Sequence, residues 1–180
     1  MRTAVRPAVV IGLLAAAAAF AAGAPDPTPA GAAMEKLRGL AGEWEGPVEW
    51  TGARSDRGTM HASYFVTGLG SAVVETLSEP GGSPAMSTVY HRDGADLRLT
   101  HFCGAQNQPR LKASRIDPAQ GALDFDFVDA TYLAAREAPH VTGLQVRFLA
   151  PDRLGLTFRF EGGGKVSLER IELARVPAPR

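Results

Sequence analysis

The chain has one cysteine, Cys103, so an internal disulfide is impossible and stability has to come from packing. Beyond the first two dozen residues, no apolar run approaches the ~20 residues that a membrane-spanning helix needs. Basic and acidic residues are balanced at 19 each, and no long run of lysine or arginine interrupts that balance. A nucleic-acid surface or a polybasic membrane patch is therefore not expected. Nucleophile elbow, P-loop and dinucleotide fingerprint are all missing, as is any internal repeat. Long helical stretches alternating with strands are missing too, which argues against a parallel α/β sheet.

What is present begins with MRTAVRPAVVIGLLAAAAAFAAGA, where two arginines precede an apolar run from Ala8 to Ala22 that contains small residues around Phe20. This is the pattern of a secretory signal peptide, with cleavage expected after Ala21. Residues 22–33 are rich in proline, glycine and alanine and read as a flexible leader. Removing Arg2 and Arg6 takes the 19 basic residues to 17 against 19 acidic, a net charge of −2. The expected location is periplasmic or secreted, with no stable membrane span after cleavage.

From Met34 onward one domain is expected. Met34, Leu37 and Leu40 form the apolar edge of a short helix that Gly42 stops. Short runs rich in β-branched and aromatic residues then follow, separated by turn residues every eight to twelve positions or so. Ten candidate strands result: Glu43–Thr51, Thr59–Thr67, Ser71–Ser78, Pro84–His91, Asp96–Cys103, Arg110–Ile116, Ala122–Ala130, Leu144–Ala150, Leu154–Glu161 and Lys165–Arg175. Their short connections predict an all-β fold, a single antiparallel up-and-down barrel, since closure removes exposed strand edges. Between Asp129 and Gly143 the two-residue period breaks, and helix formers around Leu133–Glu137 suggest a short helix or lid loop.

Alternation predicts which side chains look inward. Met60, Ala62, Tyr64 and Val66 form one row; Leu123, Phe125 and Phe127 a second; Leu154, Leu156, Phe158 and Phe160 a third. Glu75 shares parity with Val73 and Leu77, and the polarity pattern leaves its face undecided. Asp93-Gly94 is a strong hairpin turn signal. Placed at the centre of the turn, it pairs Tyr90 with Leu97, Thr88 with Leu99 and Met86 with His101. His101 and Cys103 then point inward and His91 outward.

An imidazole inside a barrel can donate, accept or ligate, which makes His101 the leading functional candidate, with Met86, Thr88, Tyr90 and Cys103 around it. Asn107 and Arg110 follow at the strand end and are expected at the barrel rim. Zinc would ask for three or four ligands; His101 and Cys103 supply two, and His140 adds a third only if the fold brings it near. A Cys–His nucleophilic pair is disfavoured, because side chains two apart on one strand project in parallel, roughly 6 to 7 Å apart. No metal set and no catalytic residue are assigned, and an enzyme is the less favoured outcome.

The segment LRGLAGEWEG (Leu37 to Gly46) resembles the opening of lipocalin-like and nitrobindin-like β-barrels of the calycin type, where a short helix leads into a strand bearing Gly-x-Trp, here Trp44. The resemblance implies an arginine of the last strand, Arg170 or Arg175, stacked on that ring. The run MSTVYHRDGADLRLTHFCGAQNQPR, with APHVTGLQVRFLAPDRL later, is similar to an uncharacterised secreted bacterial family of such barrels. Relatives of that kind carry a His-x-His pair where this chain has His140 and Thr142. Nitrobindin-like barrels hold ferric haem through a histidine in the C-terminal part of the barrel, but no histidine follows His140 here. Haem is thus expected only by a different arrangement, through Met86 or His101.

The resulting expectation is an exported barrel that binds a small apolar or amphipathic molecule, with Met86, Thr88, Tyr90, His101, Cys103, Asn107, Arg110 and His140 as ligand-binding residues. The alternatives are a haem-binding sensor or an enzyme using His101 as ligand or acid-base group, and a solid-cored barrel acting through its surface.

Overall fold

A computed structural model describes residues 28–135 and 137–177. The expected signal peptide, residues 1–21, and the first part of the leader, residues 22–27, lie outside the described residues. One helix, α1 (Pro29–Arg38), precedes ten strands: β1 (Gly42–Gly52), β2 (Asp56–Thr67), β3 (Ala72–Ser78), β4 (Met86–Asp93), β5 (Asp96–Phe102), β6 (Gln108–Asp117), β7 (Ala122–Thr131), β8 (His140–Ala150), β9 (Arg153–Gly162) and β10 (Lys165–Arg175). Each strand pairs antiparallel with its sequence neighbours, and β1 pairs with β10 to close the barrel. The expected architecture is the one observed.

The helix begins at Pro29 rather than Met34, so residues 29–33 are helical and not leader. Its start has a local cause. Thr28 Oγ1 accepts from the Gly31 amide at 3.0 Å, and Pro29 occupies the first turn, where its missing N–H costs nothing. Ala30, Ala33, Met34 and Leu37 then fall at i, i+3, i+4 and i+7 and are fully buried. That face lies against β3, β4, β5 and β6 and stoppers one end of the barrel. Arg38 fastens the plug by donating from Nε and Nη2 to the Gly70 carbonyl, at 2.8 and 2.6 Å.

Trp44 completes the plugged end. Its indole N–H donates to the Leu40 carbonyl at 2.8 Å, and the Arg175 guanidinium lies 4.2 Å above its ring. Arg175 donates onward to the carbonyls of Ala41 and Gly39. Arg170 faces away and donates to Thr51.

Two sequence expectations need correction here. In the β4–β5 hairpin Gly94 and Ala95 form the turn, with Asp93 opposite Asp96, so Thr88 faces His101, Tyr90 faces Leu99 and Met86 faces Leu77 on β3 instead. Gly94, at φ 60°, takes the first central position, where a two-residue turn of this kind wants glycine. The pairing is displaced by two residues. Because the side-chain period is also two, every residue keeps its expected face. Further on, residues 132–139 connect β7 to β8 without a helix among the described residues, and β8 starts at His140, four residues before Leu144.

Candidate functional site

The barrel's two ends differ. On the plug side, Met34, Leu37, Leu97, Leu99 and Phe125 fill the interior. On the other side a cavity of about 860 Å³ opens among the β1–β2, β3–β4, β5–β6 and β9–β10 connections. Its walls are largely apolar, with Val48, Leu77, Met86, Val141, Phe158 and Phe160, and they also carry His101, Cys103 and Glu169. Exposed Arg57 and Asp56 stand at its mouth, so the cavity reaches the surface.

His101 comes from the end of β5 and is 1% exposed. Phe158 packs on its ring at 5.2 Å between centroids. Its Nδ1 lies 2.9 Å from Thr88 Oγ1, whereas its buried Nε2 has no protein partner. The hydrogen bonding continues behind it. Thr88 Oγ1 is 3.1 Å from Glu75 Oε1, and the hydroxyls of Tyr64 and Tyr90 donate to Glu75 Oε2 at 2.7 and 3.0 Å. Glu75, which the polarity pattern left undecided, is completely buried and faces inward.

A hydroxyl has a single proton to give. When Glu75 is ionised it accepts from all three hydroxyls, and the proton of Thr88 is committed to it. Thr88 then accepts from His101 Nδ1–H, leaving Nε2 as a bare lone pair toward the cavity. If Glu75 took up a proton, the chain would reverse: Glu75 would donate to Thr88, Thr88 to Nδ1, and Nε2 would carry the hydrogen. Burial pushes the Glu75 carboxyl up, and the three hydroxyls hold it partly back. Burial also pushes His101 down to about 4, so the ring is neutral at ordinary pH. Tyr64 and Tyr90 are raised well above the usual phenol range by burial and by the Glu75 charge beside them.

Glu169 lies on β10, at the strand position diametrically opposite β5 in the closed order. It is 3% exposed, and its carboxyl is pushed up to about 7, chiefly by burial, against the pull of the Arg54 charge and of the Trp50 side chain that hydrogen-bonds it. Arg54 stacks over the Trp50 ring at 4.2 Å and pairs with Asp56 at 3.0 Å. Burial raises the Cys103 thiol, which makes it a neutral wall group and not a reactive thiolate.

Of the eight residues expected at the site, Met86, His101 and Cys103 line the cavity. Thr88 and Tyr90 sit behind that wall in the hydrogen-bond chain. The other three do not line it. Pro109 and Leu111 take the inward positions at the start of β6, so Arg110 lies on the outer wall and pairs with Asp129. Asn107 is buried in the β5–β6 connection, where its Nδ2 donates to the Pro139 carbonyl at 2.8 Å. His140 is turned outward by a bulge in β8: with Leu144 and Val146 inward, strict alternation would bring His140 in, but the register shift between Val141 and Gly143 brings Val141 in instead. The ring rests on Phe127 at 4.8 Å, and Nδ1 lies 2.7 Å from the Ala138 carbonyl. The three-ligand zinc set is therefore not assembled.

Glu169 and Trp50 were missed, although Ser167, Glu169, Ile171 and Leu173 form an inward row as regular as any other. A glutamate within such a row was the available signal.

No family model matches the chain, and no curated protein matches it. Solved structures do. A protein of unknown function of the DUF3598 family from Nostoc punctiforme superposes with a TM-score of 0.54 at 15% identity, covering 78% of this chain and 48% of that one. The chain thus spans about half of that protein. Rv2717c from M. tuberculosis superposes with a TM-score of 0.54 at 16% identity, covering 84% of this chain and 100% of the other. At such identities the likeness is one of fold.

Proposed function

We propose that this is an exported binding protein of lipocalin-like type that holds a small apolar or amphipathic molecule in the open half of its barrel. One observation carries the reading: a cavity of about 860 Å³, mostly apolar, into whose wall a buried histidine presents a ring nitrogen that no protein atom satisfies. Volumes of about 300–1,000 Å³ with a few convergent polar groups are typical of small-molecule sites. A buried polar atom without a partner is costly, and a ligand atom can remove that cost. Thr88, Tyr64, Tyr90 and Glu75 serve by fixing the imidazole, which orients whatever contacts it.

The test is native mass spectrometry of protein purified from its own host, with Val141→Trp as the cavity-filling control. A retained small molecule in the wild type, absent from the variant, is expected. If the wild type carries nothing and an environment-sensitive apolar fluorophore does not bind in a Val141-dependent way, the reading fails.

The bare Nε2 also favours a second reading. The same lone pair is what an axial ligand to haem iron must offer, with exposed Lys165 at the mouth to pair with a propionate. Haem would supply binding or redox chemistry toward a diatomic gas, while the chain's own part would be to hold His101 neutral and oriented. A Soret band on haem titration, lost in His101→Ala, would support it. Unchanged free-haem absorbance in the wild type would dispose of it.

A further inference from the structure

Two groups on opposite walls of the cavity offer hydrogen-bond acceptors when Glu75 and Glu169 are ionised. From β5, His101 presents Nε2, which no protein atom satisfies; with Glu75 ionised, Nδ1 donates to Thr88 and the Nε2 lone pair is open. From β10, Glu169 presents a buried carboxylate whose protein hydrogen-bond partner is Trp50. Both are acceptors. The hydroxyls of Ser78 and Ser167 also border the cavity, but they can turn either way and choose nothing. The cations of the lining belong to the mouth, away from the buried end at Glu169: Arg57 is paired with Glu49, Arg54 with Asp56 while stacked on Trp50, and Lys165 is exposed to solvent. A carboxylate head group would meet like charge at Glu169 in a poorly solvated space, where such repulsion is strong. An ammonium head would be paired there, and Trp50 adds an aromatic face for it.

We infer that the cavity selects amphipathic molecules with a cationic, hydrogen-bond-donating head, alkyl amines being the simplest, with the head at Glu169 and the tail along Phe158, Phe160 and Val141. A second donor on the ligand, a further N–H or a hydroxyl, falls to His101 Nε2. This rests on the reading of the barrel as a small-molecule binder and adds the sign of the ligand's head group. An occupant with an anionic head, such as a fatty acid, is disfavoured by the same carboxylate that recruits the amine.

The experiment compares decylamine, decanol and decanoate as competitors for a bound apolar fluorophore at pH 8, where Glu169 is ionised and the amine protonated. In the wild type, decylamine is expected to displace the probe at least about tenfold more tightly than decanoate, with decanol between them, a difference of about 1.4 kcal/mol. Glu169→Gln should shrink the amine-to-carboxylate ratio to about threefold or less while leaving decanol unchanged. Decanoate binding as tightly as decylamine in the wild type overturns the inference whether or not the variant folds, and so does a ratio that Glu169→Gln leaves intact. In both cases decanol still binds, so the barrel remains a binder. Failure of the fluorophore and all three competitors to bind removes the binding reading and this inference together.

Discussion

Glu75 and Glu169 are both inward-facing glutamates on barrel strands and both nearly inaccessible to solvent, yet their surroundings assign them opposite work. Glu75 is surrounded by hydroxyls, with Tyr64 and Tyr90 donating to Oε2 and Thr88 to Oε1. It is completely buried behind the cavity wall, out of a ligand's reach, and acts as a buttress for His101. Glu169 borders open space and has a Trp50 hydrogen bond and a half-exposed arginine nearby. The number of partners the fold provides separates a structural carboxylate from one with capacity to spare.

Truncation should break that comparison most visibly. Glu75→Ala leaves three buried hydroxyls donating into a void and is expected to cost about 3–5 kcal/mol in urea unfolding. Glu169→Gln, beside the cavity, should cost less than about 1 kcal/mol at pH 7, since it removes a buried charge and keeps the shape. Equal losses for the two variants would mean that the hydroxyl cluster is not what holds Glu75.

The two ends of the barrel offer the same contrast for apolar groups. Leu37 is completely enclosed in the plug, and Leu37→Ala should cost about 2–5 kcal/mol because the hole it leaves cannot be filled. Met86 already borders the cavity and is only half-buried. Met86→Ala creates no new enclosed void and should cost under about 1.5 kcal/mol. If the order is reversed, the open half is tighter in solution than the structure has it.

The barrel itself was legible because period-two alternation and turn chemistry are local signals, repeated ten times. The face of His101 survived even a two-residue displacement of its hairpin. His140 was not legible: its inward parity was cancelled by one bulged residue near Thr142, and a bulge leaves no trace in a hydrophobic pattern. Arg110 failed differently, since a strand end was read as a rim while Pro109 and Leu111 already fixed its parity as outward. Glu75 could not be settled from polarity because its partners, Tyr64 and Tyr90, stand on neighbouring strands and become visible only once register is known.

Acidity provides a finer comparison, between His101 and Glu169. The fold keeps His101 neutral, with its value near 4 against 6.5 unfolded, so as pH falls from about 6.5 to 4 the unfolded chain takes up a proton that the fold refuses. Stability is lost on acidification. Glu169 is the reverse: its value near 7 against 4.5 means that the fold holds a proton the unfolded chain has released, and stability is lost as pH rises from about 4.5 to 7. Each is worth about 3 kcal/mol at full extent, and Glu75 adds to the second slope. The wild type should therefore show a shallow dependence between pH 4.5 and 6.5. Glu169→Gln should lose stability more steeply on acidification, and His101→Leu more steeply as the pH is raised. Parallel profiles for all three proteins would show that these groups titrate normally and that the cavity is well hydrated.

The smallest expected effect concerns the two stacked arginines, one at each end. Arg175 lies 4.2 Å over Trp44 and also donates to two carbonyls that terminate the plug, while Arg54 lies 4.2 Å over Trp50 at the mouth, with Asp56 and solvent beside it. Lysine preserves the charge but not the planar fork, so Arg175→Lys should cost about 1 kcal/mol, by losing one directed hydrogen bond and part of the ring contact. Arg54→Lys gives up only an exposed stacking contact and should cost about half as much or less. Near-ultraviolet circular dichroism sharpens the test by reporting the environments of both tryptophans: the variant at the plug should disturb the Trp44 signal and leave ligand binding intact. A loss of ligand affinity on Arg175→Lys would instead mean that the plug and the cavity are coupled through β10, whose residues Glu169 and Arg175 share one strand.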